Sequence, residues 1–186
     1  MIDEIYAIID MVSFIKSFEN RLKTAFPEQP IPQRDIIFDD AVKDDPDIIS
    51  FYNRILRGQS WYEIVESSHD IPTVNELSEH KLSFSPVGYR YYLPAYLLIV
   101  VKYYDEVDCF VESVIHRFNP KRKKSKAVRT RIDIQDNSLS AAHYDAINDF
   151  LIFIENYHSS EFENPFMPNP LKEARDYVSS KIRQNQ

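Results

Sequence analysis

Two Glu-x-x-His pairs, Glu66 with His69 and Glu155 with His158, are the residues whose types and spacing best suit metal chemistry. On a helix this spacing puts both side chains on one face, as in the carboxylate-bridged di-iron sites of helical bundles. Such a site also needs an inward glutamate from each of two further helices. Glu112 can supply one, and the sequence offers no evident fourth carboxylate. Both pairs end helical patterns beside serine-rich polar stretches, where a solvated pair is the ordinary outcome. Cys109, Glu112 and His116 share another helical stripe, but a cysteine and histidine so spaced seldom lie close enough to share a proton. Glu76 and His80 have the spacing of an exposed helix pair. Only two glycines, Gly58 and Gly88, are present, so no phosphate-cradling loop of the Rossmann or P-loop kind can form. There is no cysteine pair for zinc and no Gly-x-Ser-x-Gly elbow. No catalytic residue, cofactor or metal is expected.

Charge is the next signal. The chain of 186 residues carries a net charge of −7, yet residues 121–131, KRKKSKAVRTR, hold seven bases and no acid, leaving −7 − 7 = −14 on the rest. The segment 35–47, DIIFDDAVKDDPD, holds six aspartates against one lysine. An acidic surface weighs against nucleic acid and anionic membrane as main partners, and the basic run lacks the interleaved aromatics of a nucleic-acid contact. The aspartate-rich segment lacks the glycine and spacing of a calcium loop. The amino terminus, MIDEIYAIIDMVSFIKSF, has acids before its first base, unlike a signal peptide. With one cysteine and no apolar run near 20 residues, a cytoplasmic location is expected, with no membrane partner.

These groups must be positioned by helices. Ile5, Ile8, Ile9, Val12, Ile15 and Phe18 mark one face of a first helix near residues 2–25. FPEQPIPQ, with three prolines, is an extended connection. Asp45, Pro46 and Gly58 are cap, first-turn and closing residues of a helix over 46–57. Ser60 caps a short helix, and Thr73 with Glu76 has capping-box spacing. Leu93, Leu97, Val100, Tyr104, Val107, Val111, Val114 and Phe118 form one buried seam, with a kink or restart at Pro94 and a break near Asp105. Residues 119–138 have no apolar period and are expected to be a long, flexible basic loop. Ser140 caps a helix whose core face is Ala146, Ile147, Phe150, Leu151 and Ile154, and residues 171–183 form a last helix. The expectation is a single all-α domain over residues 1–186, a bundle of roughly seven helices.

SFSPVGYRYYLPAYLLIVVKYY, residues 83–104, is the densest stretch, with six tyrosines. An aromatic stripe at helical spacing is more often core than site. The stretch LSFSPVGYRYYLPAYLLIVV resembles the signature of a bacterial family of unknown function. That family carries an aromatic and then a Tyr-Leu-Pro-Ala core, here within residues 89–95. Its later helix is similar to LSAAHYDAINDFLIFIE, with His143 where relatives often have glutamine. The resemblance runs from about residue 48 to residue 158 and implies no catalytic activity.

The favoured reading is a non-enzymatic protein that binds another protein with a basic surface, in the manner of an immunity or antitoxin protein masking a toxin. High tyrosine content suits an interface. The expected contact residues are Phe38, Asp39, Asp40, Asp44 and Asp47, with Tyr89 and Tyr92 as a second exposed patch. The alternatives are a helical metalloenzyme built on the Glu-x-x-His pairs and a nucleic-acid accessory factor using the basic loop.

Overall fold

The computed structural model describes residues 2–68, 71–107, 109–119, 125–164, 166 and 168–185, and the side chains of all of these except 2–9 and 71. The described residues hold ten α-helices, more than the seven expected, and no β-strand. In chain order they are α1 (Ile2–Ala25), α2 (Arg34–Ile37), α3 (Pro46–Phe51), α4 (Trp61–Ser67), α5 (Ile71–His80), α6 (Pro86–Lys102), α7 (Cys109–Arg117), α8 (Lys126–Asp136), α9 (Ala141–His158) and α10 (Pro170–Gln184). No helix among them is long and apolar enough to cross a membrane.

The central element is α6. From Tyr91 to Val101 every residue is buried, so the helix is apolar all round and must be covered on every side. Helices α1, α2, α4, α7, α8 and α9 all pack against it. Ser85 caps it by accepting the Gly88 N–H (3.1 Å), and Pro86 occupies the first turn, where its missing donor is not needed. The helix does not stop and restart at Pro94 but continues through it to Lys102. The break near Asp105 does occur, as a single 3-10 turn, Tyr104–Glu106, before α7. Leu93, Leu97, Val100, Val107, Val111, Val114 and Phe118 are buried, but Tyr104, expected in the same buried seam, lies on that turn and is only half-buried against the core.

Two further expectations fail. The long basic loop is in large part helix α8, which Ser125 caps by accepting the Val128 N–H (3.3 Å). Its inward positions are Ile132, Gln135 and Asp136, so the face has helical period but is mostly polar. Residues 121–124 of the basic run lie outside the described residues. Secondly, Val12, placed on the core face of α1, is 61% exposed, whereas Phe18, Leu22 and Phe26 are buried. The helix expected over 46–57 is present as α3 continued by a π-helical turn, Tyr52–Leu56, and Gly58, at φ +73°, follows it as expected.

The polar face of α8 meets a buried cluster. Arg117 of α7 and Asp136 keep only 4% and 1% of their side-chain surface, and their contact is 2.7 Å. Tyr177 of α10 donates to the same carboxylate, and Tyr144 of α9 donates to the Asp136 carbonyl (3.1 Å). The Arg117 guanidinium lies 4.5 Å above the Tyr89 ring, and Gln135 bridges Arg117 to the Phe84 carbonyl. Four helices are thus joined through one ion pair.

Candidate functional site

Connection 26–33 is extended, and its three prolines forbid it to coil into helix. It is pinned at fixed points: the Trp61 indole N–H donates to the Phe26 carbonyl (3.0 Å) and the Tyr91 hydroxyl to that of Glu28 (2.6 Å). His143 of α9 stacks on Phe26 with ring centres 4.4 Å apart. The Ser140 N–H donates to His143 Nδ1 (2.9 Å), so that nitrogen carries no proton. Burial lowers the His143 pKa and Arg90 lowers it further, against a hydrogen bond to the Ala25 backbone. Burial pushes the Tyr91 hydroxyl up to about 12, so it stays a donor.

Across from this connection stand α2 and the first turns of α6. The Ser85 hydroxyl donates to the Ile36 carbonyl (2.5 Å), and the Ser85 N–H donates to that of Ile37 (2.9 Å). At Gly88 the two backbones meet: a Cβ there would lie 2.0 Å from the Ile37 oxygen. The result is an open groove of about 320 Å³, walled by Phe26, Pro27, Pro30, Pro32, Tyr91 and His143 and edged by Ile36, Val87 and Arg90. Ile36 is 51% exposed and Val87 36%, two of the few large apolar side chains left at the surface. A second hollow, about 600 Å³, opens on the other side of Pro86, between Asp39 and Arg131, with the exposed Ile134 in its wall. The two hollows share the first turn of α6 between them.

The acidic segment reaches the first hollow through Ile36 and the second through Asp39. Asp40, Asp44 and Asp47 are exposed. Asp39 is half-buried: its carboxylate meets Arg131 of α8 (3.2 Å) and accepts the Ala41 N–H (3.0 Å). Asp40 pairs with Lys43 (2.9 Å), and Asp45 caps α3 by accepting the Asp47 N–H (2.9 Å). Phe38 is buried, stacked on Phe84 and edged by Phe51 and Tyr52, so it anchors the segment to the core. Tyr89 and Tyr92 are buried as well and form no exposed patch. Ile36 and His143 were visible in the sequence, but the prolines signalled only a connection and Val87 gave no signal. An exposed valine on a helix cannot be told from a buried one before its neighbours are placed.

Among the described residues, the groups considered for metal chemistry do not converge. Glu155 pairs with Arg175 of α10, whereas His158 lies on the Tyr104 ring and faces Glu161 (3.3 Å). Glu66 pairs with Lys102 (2.7 Å), and His69 lies outside the described residues. Glu112 faces another hollow, with Asp105 and Glu161. Among the described residues no group of three or more histidine, cysteine or acidic side chains could hold a metal ion. Cys109 is exposed on α7, and Glu76 pairs with Arg54 rather than with His80.

No curated protein and no solved structure matches the chain. A protein-family model does, over residues 54–178, a span that takes in helices α4 to α9 with the groove's α6 and α9 walls, and leaves out the acidic segment. By that match, which covers well over half of its length, the chain belongs to DUF6714, a family of unknown function.

Proposed function

We propose that this is a non-enzymatic, cytoplasmic protein-binding module that docks a basic partner across the Ile36–Val87 groove, masking it as an immunity or antitoxin protein masks a toxin. The observation that carries the reading is the placing of exposed Ile36 and Val87 on a preformed, proline-walled groove, with Ile36 itself part of the aspartate-rich segment 35–47. Apolar anchors in a groove supply binding energy, and a rim of one charge speeds encounter with the opposite charge. The groove's walls are held by hydrogen bonds in the free protein, so little ordering is needed on binding.

The test compares wild type with Ile36→Glu/Val87→Glu as bait in native lysate. Both positions are exposed, so melting should move by no more than about 0.5 kcal/mol in stability per site. Wild type should retain a basic protein that the double variant does not. Asp40→Asn/Asp44→Asn should slow capture at low salt and lose that effect at high salt, where screening hides the missing charges. Retention of the same protein at the same rate by both variants would remove the groove and the acidic rim from the interface.

A further inference from the structure

A further pocket, of about 270 Å³, lies between α5, α7 and α8, with a lining that shares no residue with the docking groove. Its polar wall is Lys81, Ser113, His116 and Arg117, and its apolar wall is Leu82, Val128 and Ile132. Lys81 is half-buried just beyond the end of α5. Its ammonium donates to the Ser113 hydroxyl and to Ser78 (3.3 Å), and those two hydroxyls lie 2.9 Å apart. Among the described residues Lys81 forms no ion pair, although the protein as a whole is strongly acidic. Arg117 is almost wholly buried, and only its Nη2 is used, on Asp136 and Gln135. Its Nε and Nη1 are buried without a hydrogen-bond partner.

Two cations line this pocket, and among the described residues only Arg117 has a carboxylate partner, which leaves the Lys81 charge costly. Burial, then Arg117, both lower the Lys81 pKa, which shows the strain of an ammonium with no counter-charge. Buried charges are ordinarily paired, and unused buried guanidinium donors are rare. An oxyanion in this pocket would give Lys81 its counter-charge, accepting from the ammonium and the Ser113 hydroxyl within the field of the buried Arg117 guanidinium. The volume is close to the lower end for small-ligand pockets, and the apolar wall would cover a small hydrocarbon body but not a bare ion.

We infer that the α5–α7–α8 pocket binds a small organic anion, an oxyanion head on Lys81, Ser113 and the Arg117 side of the pocket with an apolar body against Val128 and Ile132. A half-buried lysine with no ion pair among the described residues, set beside serine hydroxyls and the Arg117 charge on one pocket with an apolar wall, carries this assignment, which is independent of the docking groove.

Phenyl phosphate, benzoate, inorganic phosphate and benzyl alcohol serve as probes, at matched ionic strength. Titration followed by methyl NMR and calorimetry should show phenyl phosphate or benzoate binding at millimolar concentration or below, with shifts at the Val128 and Ile132 methyls. Which of the two binds tighter identifies the head group. Inorganic phosphate should bind more weakly, and benzyl alcohol should not bind. Lys81→Met should weaken binding by at least about tenfold, the usual loss with a charged hydrogen-bond partner, without lowering the melting temperature. A purely structural Lys81 would behave oppositely: a lower melting temperature and unchanged anion binding. Ser113→Ala keeps both charges and should weaken binding by a smaller factor, which tests the site should Lys81→Met misfold. No binding of either organic anion, binding equal to that of benzyl alcohol, or shifts confined to other methyls would overturn the assignment.

Discussion

His143 shows how a single position can carry both a local and a tertiary role. It stands three residues after Ser140, where a helix start commonly places glutamate or glutamine to take the cap residue's N–H. Its Nδ1 does that work, and its ring also covers Phe26. An imidazolium cannot accept a hydrogen bond, so protonation must break the contact with Ser140. The folded protein therefore holds His143 neutral, with a pKa below its unfolded value of about 6.5, and the unfolded chain binds more protons as pH falls. Stability is full above that unfolded value and declines as pH drops below it towards the folded pKa. Denaturant midpoints measured across this range should show the decline in wild type and a smaller one in His143→Gln, which keeps the acceptor and cannot titrate. Equal slopes would mean that another group controls the acid limb.

At the scale of elements, the junction of α2 with α6 sets the groove. Gly88→Ala should cost about 1–3 kcal/mol, because the added methyl meets a backbone oxygen that no rotamer change can move. Equilibrium unfolding would measure it, and a change under about 0.5 kcal/mol would mean that α2 shifts freely. The acidic segment is tied to α8 through Asp39 and Arg131, so opposite charge runs far apart in sequence meet in space. Asp39→Asn should weaken stability by up to about 1 kcal/mol, the range of a partly exposed pair, while Asp40→Asn and Asp44→Asn should change it little. The three aspartates are therefore not equivalent probes of charge, and binding experiments should use the outer two.

For the molecule as a whole, the Arg117–Asp136 pair is the point where α7, α8, α9 and α10 are joined. Asp136→Asn leaves the guanidinium buried without its counter-charge and should cost about 3–5 kcal/mol. Arg117→Met/Asp136→Leu removes both charges and should cost less than Asp136→Asn alone, since the penalty comes from leaving one charge unpaired. Chemical denaturation of the three proteins tests this ordering, and additive losses would show that the pair is not coupled. Val100→Asp, which places a carboxylate beside fully buried neighbours in α6, should leave no cooperative unfolding transition at all.

Much of the architecture was legible because it is written in local terms. The all-helical class, the extent of α1, the proline connection, the Asp45 and Ser60 caps and most of the seam from Leu93 to Phe118 follow from periodicity, capping residues and proline, all set by neighbours within a few positions. Helix α8 was not legible, because its inward face is Gln135 and Asp136, polar residues that are buried only since Arg117, Tyr177 and Phe84 arrive to satisfy them. The same holds for the sites. Ile36 and Val87 are anchors because the fold leaves them uncovered, and Phe38 and Tyr89 are not because it covers them. Lys81 and Arg117, 36 positions apart, form a pocket only because α5 and α7 pack together. Sequence period says that a residue belongs to a face; burial and charge compensation depend on what that face meets, and only the tertiary structure decides that.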